Sequence, residues 1–520
     1  MSARRPLPRT GPPRRRGLSL VAAAVTLLVT LTGCVTTFLP APPSKTSTPT
    51  TEKVSSDLAP FYKQVLRWST CGSFQCTDAT VPLDWNDPTG DTISVALIRK
   101  TATGTKLGSL LVNPGGPGAS GYDFIRDSLS YAVSTKLQSG YDIVGFDPRG
   151  VNHSTAVKCY NDPKKMDAFL YDIAPYTIGS DAWIDYQKKT NAAFGKACHS
   201  FTGDLLGHVD TVSAARDLDV LRAALGDDKL NYLGYSYGTL LGGTYAELFP
   251  AKTGRLVFDG AVDPATTEFD VTRTQAVGFE SALHAFVADC LTGDKCPFRG
   301  SADAAMTTIR ALLDSLDASP LRASDGRMLG SATMFTAIIL PLYSRSNWPY
   351  LTDLFSSVKK GDADYAFQLA DSYNNRSAKG IYNDNSTEAF IAVNCLDYKV
   401  TATTASLKAE AAELKKVAPV LGPQMSYGAT ACADWPFAST RERGPIAAAG
   451  SAPILVVGTT NDPATPYVWA QNVANQLENG HLVTYRGEGH TAYNKSNSCI
   501  NDAVDGFFLE GTVPAKDPQC

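Results

Sequence analysis

The sequence has no surplus of charge: 47 lysines and arginines face 51 aspartates and glutamates over 520 residues, a formal net charge of −4. A chain so nearly balanced offers no electrostatic footprint for nucleic acid or an acidic ligand, and no nucleic-acid partner is expected. Its 11 cysteines include no repeated C-x-x-C knuckle, so no metal site is expected. The Gly-rich stretch Asn113-Pro114-Gly115-Gly116-Pro117-Gly118 is not followed by Gly-Lys-Ser/Thr, which excludes a phosphate-cradling loop in practice; no cofactor is expected. Histidine is scarce, with six residues, which narrows the search for a general base. What the chain does have is bulk: at 43% hydrophobic residues it can bury a large core, as one big domain with an insertion or as two or three domains.

The N-terminus carries targeting signals. Arg4, Arg5, Arg9 and Arg14-Arg15-Arg16 form a basic region, and the apolar stretch Leu18 to Leu31 has the length of a signal-peptide core but is short for a membrane span. It ends in Leu31-Thr32-Gly33-Cys34, a lipobox-like sequence in which Cys34 is the lipidation candidate; Arg15-Arg16 leaves open whether export uses the general or the twin-arginine route. Residues 1–33 are therefore read as a signal peptide and 34–57, rich in Thr, Pro and Ser, as a flexible tether that holds a folded body to the outer face of the cell membrane. The other ten cysteines, Cys71, Cys76, Cys159, Cys198, Cys290, Cys296, Cys395, Cys432, Cys499 and Cys520, suit five disulfides in an oxidising compartment. Spacing does not fix their connectivity, but pairing neighbours in order closes the shortest loops.

Past residue 58 the pattern is α/β. Ala79 to Trp85 and Thr92 to Ile98 read as strands around a turn, and the apolar runs Gly108 to Val112 and Tyr141 to Phe146 as buried strands separated by helix. A mostly parallel sheet with both faces covered follows. Residues 58–264 form the first part of this core, 265–445 break the rhythm as a helical cap, and 446–520 return to it through the strands Ile454 to Val457 and His481 to Tyr485.

The chemistry centres on Gly234-Tyr235-Ser236-Tyr237-Gly238, which follows the strand-like Lys229 to Leu233 and precedes a helical stretch ending at Pro250. That context is what a nucleophile elbow needs: a serine on a strained turn, with glycines two residues either side so that strand and helix pack without Cβ clashes. A serine hydroxyl needs a histidine to take its proton and a carboxylate to orient that histidine. His490, in Gly487-Glu488-Gly489-His490, follows the final strand, and Asp462 follows the strand before it; Asp263, after an earlier strand and also before a proline, is the rival acid. The order Ser236, Asp462, His490 is that of an α/β-hydrolase triad. Backbone N–H donors for the oxyanion are expected from Gly116, with Gly115 as second choice, and from Tyr237.

Together with Gly145-Phe146-Asp147-Pro148-Arg149-Gly150, Asp259-Gly260-Ala261-Val262-Asp263-Pro264 and Ala392-Val393-Asn394-Cys395-Leu396-Asp397, these motifs resemble the actinobacterial tripeptidyl aminopeptidase group of α/β-hydrolases. This group is related to prolyl aminopeptidases and includes mycobacterial members described as carboxylesterases. The resemblance runs from about residue 58 to the end. It implies an α/β-hydrolase fold, the triad above, a cap that limits access to peptide or protein N-termini, and a carboxylate near the cap, with Asp397 the candidate, for the substrate amine. Asn152-His153 departs from the Gly-Arg pair commoner at that point. An exopeptidase acting on free N-termini is the leading expectation, a carboxylesterase acting on acyl esters with the same triad the second, and a non-catalytic surface protein the third.

Overall fold

The computed structural model describes residues 45–520; the signal segment and Cys34 lie outside the described residues. Ten strands form one sheet among the described residues: β1 (Lys45–Thr46), β2 (Arg67–Cys71), β3 (Phe74–Pro82), β4 (Thr92–Lys100), β5 (Gly108–Asn113), β6 (Tyr141–Phe146), β7 (Leu230–Tyr235), β8 (Thr253–Asp259), then, after a small hairpin of β9 (Leu321–Arg322) and β10 (Met328–Leu329), β11 (Ile454–Asn461) and β12 (Gly480–Glu488). Their order is β1-β2-β3-β4-β6-β5-β7-β8-β11-β12. The four joints from β1 to β6 are antiparallel, and the five from β6 to β12 are parallel.

Alternation along the parallel strands explains the two cores. Leu111, Val144, Tyr232, Leu256, Phe258 and Val456 face the helices Thr211–Leu225 and Tyr237–Leu248. Their neighbours Leu110, Val112, Ile143, Leu233, Val257 and Leu455 face the helices Gly121–Ala132 and Ser498–Glu510. Buried on both faces, these strands read as continuous apolar runs. The chain leaves β5 for β6 on one side while β7 lies on the other, so the C-terminal ends of β5 and β7 flank a topological switch point, where open α/β sheets form their binding crevice.

Between β8 and β11 the chain is mainly helical and builds a third core from residues such as Leu283, Phe286, Leu313, Ile338, Leu351, Phe355 and Phe367. The five disulfides pair the ten cysteines in sequence order: Cys71–Cys76, Cys159–Cys198, Cys290–Cys296, Cys395–Cys432 and Cys499–Cys520. Among the described residues no helix is long and apolar enough to cross a membrane.

The structure corrects one boundary. Residues 45–57, expected within the tether, belong to the folded body. Lys45 and Thr46 pair with β2, the Thr50 amide donates to the Ala223 carbonyl at 2.9 Å, and Glu52 bonds Arg222 at 2.5 Å and also Lys252. Few large apolar residues fall here, so composition resembles a linker; backbone pairing and a partly buried acid hold the segment instead.

Candidate active site

Ser236 sits between β7 and the elbow helix Tyr237–Leu248 with φ 55° and ψ −126°, a conformation that costs a non-glycine residue about 1–3 kcal/mol and persists only where neighbours over-determine it. They do. Its amide donates to the Asp259 carbonyl at 2.9 Å, and a Cβ on Gly234 would come within 2.5 Å of the Gly238 carbonyl oxygen, so the elbow needs its glycine.

His490 follows β12. Its Nδ1 lies 2.9 and 3.0 Å from the two Asp462 oxygens, and its amide donates to the Tyr343 carbonyl of the cap at 2.8 Å. Asp462 is 2% exposed. Its carboxylate accepts the amides of Ala464, Thr465 and Thr491 at 2.9, 2.8 and 3.1 Å and the Thr465 hydroxyl at 3.0 Å. This set of donors stabilises the anion without water and fixes its orientation. The His490 ring rests against Gly260, where a Cβ would meet His490 Cε1 at 3.3 Å. Gly260 directly follows Asp259, the residue that binds the Ser236 amide, so the imidazole and the serine converge on one turn. Ser236 Oγ makes no hydrogen bond within the described residues; such contacts commonly tighten only with substrate bound.

Asp263, the rival acid, does not reach His490. It accepts the side-chain amides of Asn472 and Gln476, both at 2.8 Å, and the Ala265 amide at 3.0 Å, so it anchors the helix Tyr467–Gln476.

The loop after β5 packs directly on the elbow: a Cβ on Gly115 would stand 2.5 Å from the Tyr235 oxygen and 2.9 Å from Ser236 Cβ, and its φ of +98° suits glycine. Gly115 is not an oxyanion donor, however, because its N–H is taken by Asn113 Oδ1 at 2.9 Å. The Gly116 amide makes no hydrogen bond within the described residues. The Tyr237 amide opens its helix, where an N–H has no intrahelical acceptor. The elbow and the loop packed on it thus each keep an amide without a hydrogen-bond partner among the described residues.

Asp397 proves unavailable to a substrate amine. It is 1% exposed, accepts the Thr211 amide at 3.0 Å and the Thr211 hydroxyl, and pairs with Arg441 at 2.9 Å. The departing pair Asn152-His153 bridges to the cap: the Asn152 amide donates to Asn385 Oδ1 at 2.8 Å, and both side chains bond Asp123. Sequence reasoning missed Thr465 and Tyr343. Thr465 had a local signal, the Asp-x-x-Thr turn spacing; Tyr343 had none, since only the folded cap brings it to His490.

A serine on the turn after β7, an acid after β11 and a histidine after β12, on a mostly parallel sheet with helices on both faces, define an α/β-hydrolase equipped for nucleophilic acyl transfer. A family model described as TAP-like protein matches residues 418–520. The chain is 36% identical over 482 residues to serine protease Hip1 of Mycobacterium tuberculosis (88% of this chain, 91% of that protein). It is 37% identical over 478 residues to carboxylesterase B of the same species (89% and 91%), and 33% identical over 465 residues to tripeptidyl aminopeptidase of Streptomyces lividans (87% and 84%). The chain belongs to this family of tripeptidyl-aminopeptidase-like α/β-hydrolases, and it is a serine hydrolase of the peptidase or esterase type.

Proposed function

We propose that the protein is an exported aminopeptidase that releases short peptides, tripeptides foremost, from free N-termini through an acyl-enzyme on Ser236. The observation that carries the reading is the bond from His490 Nδ1 to the buried Asp462, which leaves the ring's other nitrogen to serve as the base. His490 takes the Ser236 proton as Oγ attacks the scissile carbonyl, and the Gly116 and Tyr237 amides receive the developing oxyanion. His490 then returns the proton to the leaving amine, and the acyl-enzyme is hydrolysed by water activated in the same way. Asp462 holds the ring's orientation and stabilises the imidazolium that forms.

The cap favours an exopeptidase. It meets the site from two directions: Gly118 of the loop after β5 lies so close to the helix Ser386–Asp397 that a Cβ there would meet the Ser386 oxygen at 2.6 Å, while Tyr343 stands edge-on to His490 with ring centres 5.3 Å apart. A chain end enters such a site more readily than the middle of a folded protein. Export, with lipid attachment at Cys34, is part of the proposal, supported by the five disulfides. The second reading, a carboxylesterase, uses the same triad and draws on the esterase relative.

The test compares a chromogenic tripeptide, its N-acetylated form and a short-chain acyl ester. Turnover of the free tripeptide well above the blocked one is expected, with a fall of about 10⁴-fold or more for Ser236→Ala. Equal turnover of both peptides would sink the aminopeptidase reading, ester-only turnover would favour the second, and retained activity in Ser236→Ala would overturn the mechanism.

A further inference from the structure

Tyr237 has two ends with different surroundings. Its amide opens the elbow helix beside Ser236, while its side chain, in a residue only 7% exposed, runs into a buried polar chain. The phenol oxygen lies 2.6 Å from Thr211 Oγ1, and the Thr211 hydroxyl bonds Asp397 Oδ2. Thr211 is fully buried, and its own amide donates to Asp397 Oδ1 at 3.0 Å. Arg441, 2.9 Å from Asp397, also donates to Thr244 of the elbow helix at 3.0 Å.

The chemistry of the groups gives this chain a direction. The Thr211 hydroxyl has a single proton, and it is donated to Asp397 Oδ2. The Thr211 oxygen must then accept from the Tyr237 phenol. Burial and the nearby Asp397 charge push the phenol far above its ordinary titration range, so it stays a donor throughout the working pH range. Three separate pieces of chain thus converge on the elbow helix: the start of the helix before β7 touches Tyr237 directly, the end of a cap helix holds that contact through Asp397, and the return from cap to sheet braces Asp397 and Thr244 through Arg441. A serine held at φ 55° needs that kind of over-determination.

We infer that Asp397, acting through Thr211 and the Tyr237 hydroxyl, is a positioning residue that sets the direction of the Tyr237 amide in the oxyanion hole. The inference rests on the reading of Ser236 as nucleophile. It gives the cap a part in transition-state stabilisation besides the selection of substrates, and it applies to peptides and esters alike, because both pass through the same oxyanion.

Thr211→Val, Thr211→Ser and Tyr237→Phe test it, measured on the tripeptide and on the acyl ester, with a peptide aldehyde as the probe that forms a tetrahedral adduct on Ser236. Thr211→Val and Tyr237→Phe are each expected to lower kcat about tenfold, part of the roughly 10²–10³ lost when an oxyanion donor is removed outright, with KM within about twofold. Aldehyde affinity falls by the same factor, Thr211→Ser restores both values, and the double variant is no worse than either single one, as residues of one network are non-additive. Discrimination between free and N-acetylated peptide stays unchanged. Wild-type kcat and aldehyde affinity in Thr211→Val and Tyr237→Phe would overturn the inference, as would a change confined to KM. Should Thr211→Val fail to fold, Tyr237→Phe, which removes one atom, decides alone. A Ser236→Ala protein with full activity would remove the nucleophile reading itself, whereas an inactive Ser236→Ala beside unaffected network variants would remove only this inference.

Discussion

Asp263 and Asp462 are locally alike, each following a strand and preceding a proline, and only their partners separate them. Asp462 is turned to His490, and Asp263 to Asn472 and Gln476. Asp462→Asn is therefore expected to lower kcat about 10⁴-fold, because an amide favours the wrong imidazole tautomer, and also to lose stability, since the new amide donor faces the Ala464, Thr465 and Thr491 donors. Asp263→Asn places an amide donor against amide donors and is expected to cost about 1–3 kcal/mol of stability with kcat retained. Urea midpoints and kcat measured on both variants check the assignment, and the opposite pattern in kcat would move the acid to Asp263. At this scale the residues proposed to make the chemistry were legible in position: Ser236, His490 and Asp462 each follow a strand, and strand-to-turn signals are local. The residues that hold them were not. The Asn113 side chain takes the Gly115 amide by a rotamer choice with no imprint on sequence spacing, and Asp397 meets Thr211 across 186 positions.

At the scale of elements, the cap helix Ser386–Asp397 is the joint of the molecule. Its start abuts Gly118, the preceding Asn385 donates to the carbonyls of Gly150 and Val157, both at 2.8 Å, and its last residue is Asp397. Glu388, one turn in, shares a cavity of about 350 Å³ with Lys158, Tyr160, Asp162 and Asp384. Burial, with the Asp384 charge adding to it and a backbone hydrogen bond opposing, pushes its carboxyl up to about 7. The folded protein thus holds a proton that the unfolded chain releases near 4.5, so stability falls as pH rises from about 4.5 to 7 and the full cost applies above that. Glu388→Gln is expected to melt higher than wild type at pH 8, by up to a few kcal/mol, and to show no gain at pH 4. Melting curves from pH 4 to 9 test this; a gain independent of pH would show that ionisation is not the cause. The helical character of this region was readable from its broken βα rhythm. Its grip on the oxyanion loop was not, since contacts between elements follow from packing of the whole fold.

For the molecule as a whole, the disulfides and the N-terminal segment bear on where the enzyme works. The bonds follow sequence order, as loop-closure entropy favours, and Cys395–Cys432 ties the end of the cap helix to the chain 37 residues on. The start of the body was misjudged for a physical reason: Thr, Pro and Ser signal solvation on average, yet strand pairing with β2 and one acid, Glu52, set between Arg222 and Lys252, together fasten this stretch. The proposed lipid anchor predicts that Cys34→Ala releases active enzyme from the membrane fraction into the medium, and persistent membrane association of that variant would refute it. If Cys34 is the anchor, docking of the segment from Lys45 onward leaves only residues 35–44 to bridge lipid and enzyme, about 35–40 Å at full extension. The catalytic body would then work close against the bilayer, and its substrates would be those that come within that short leash.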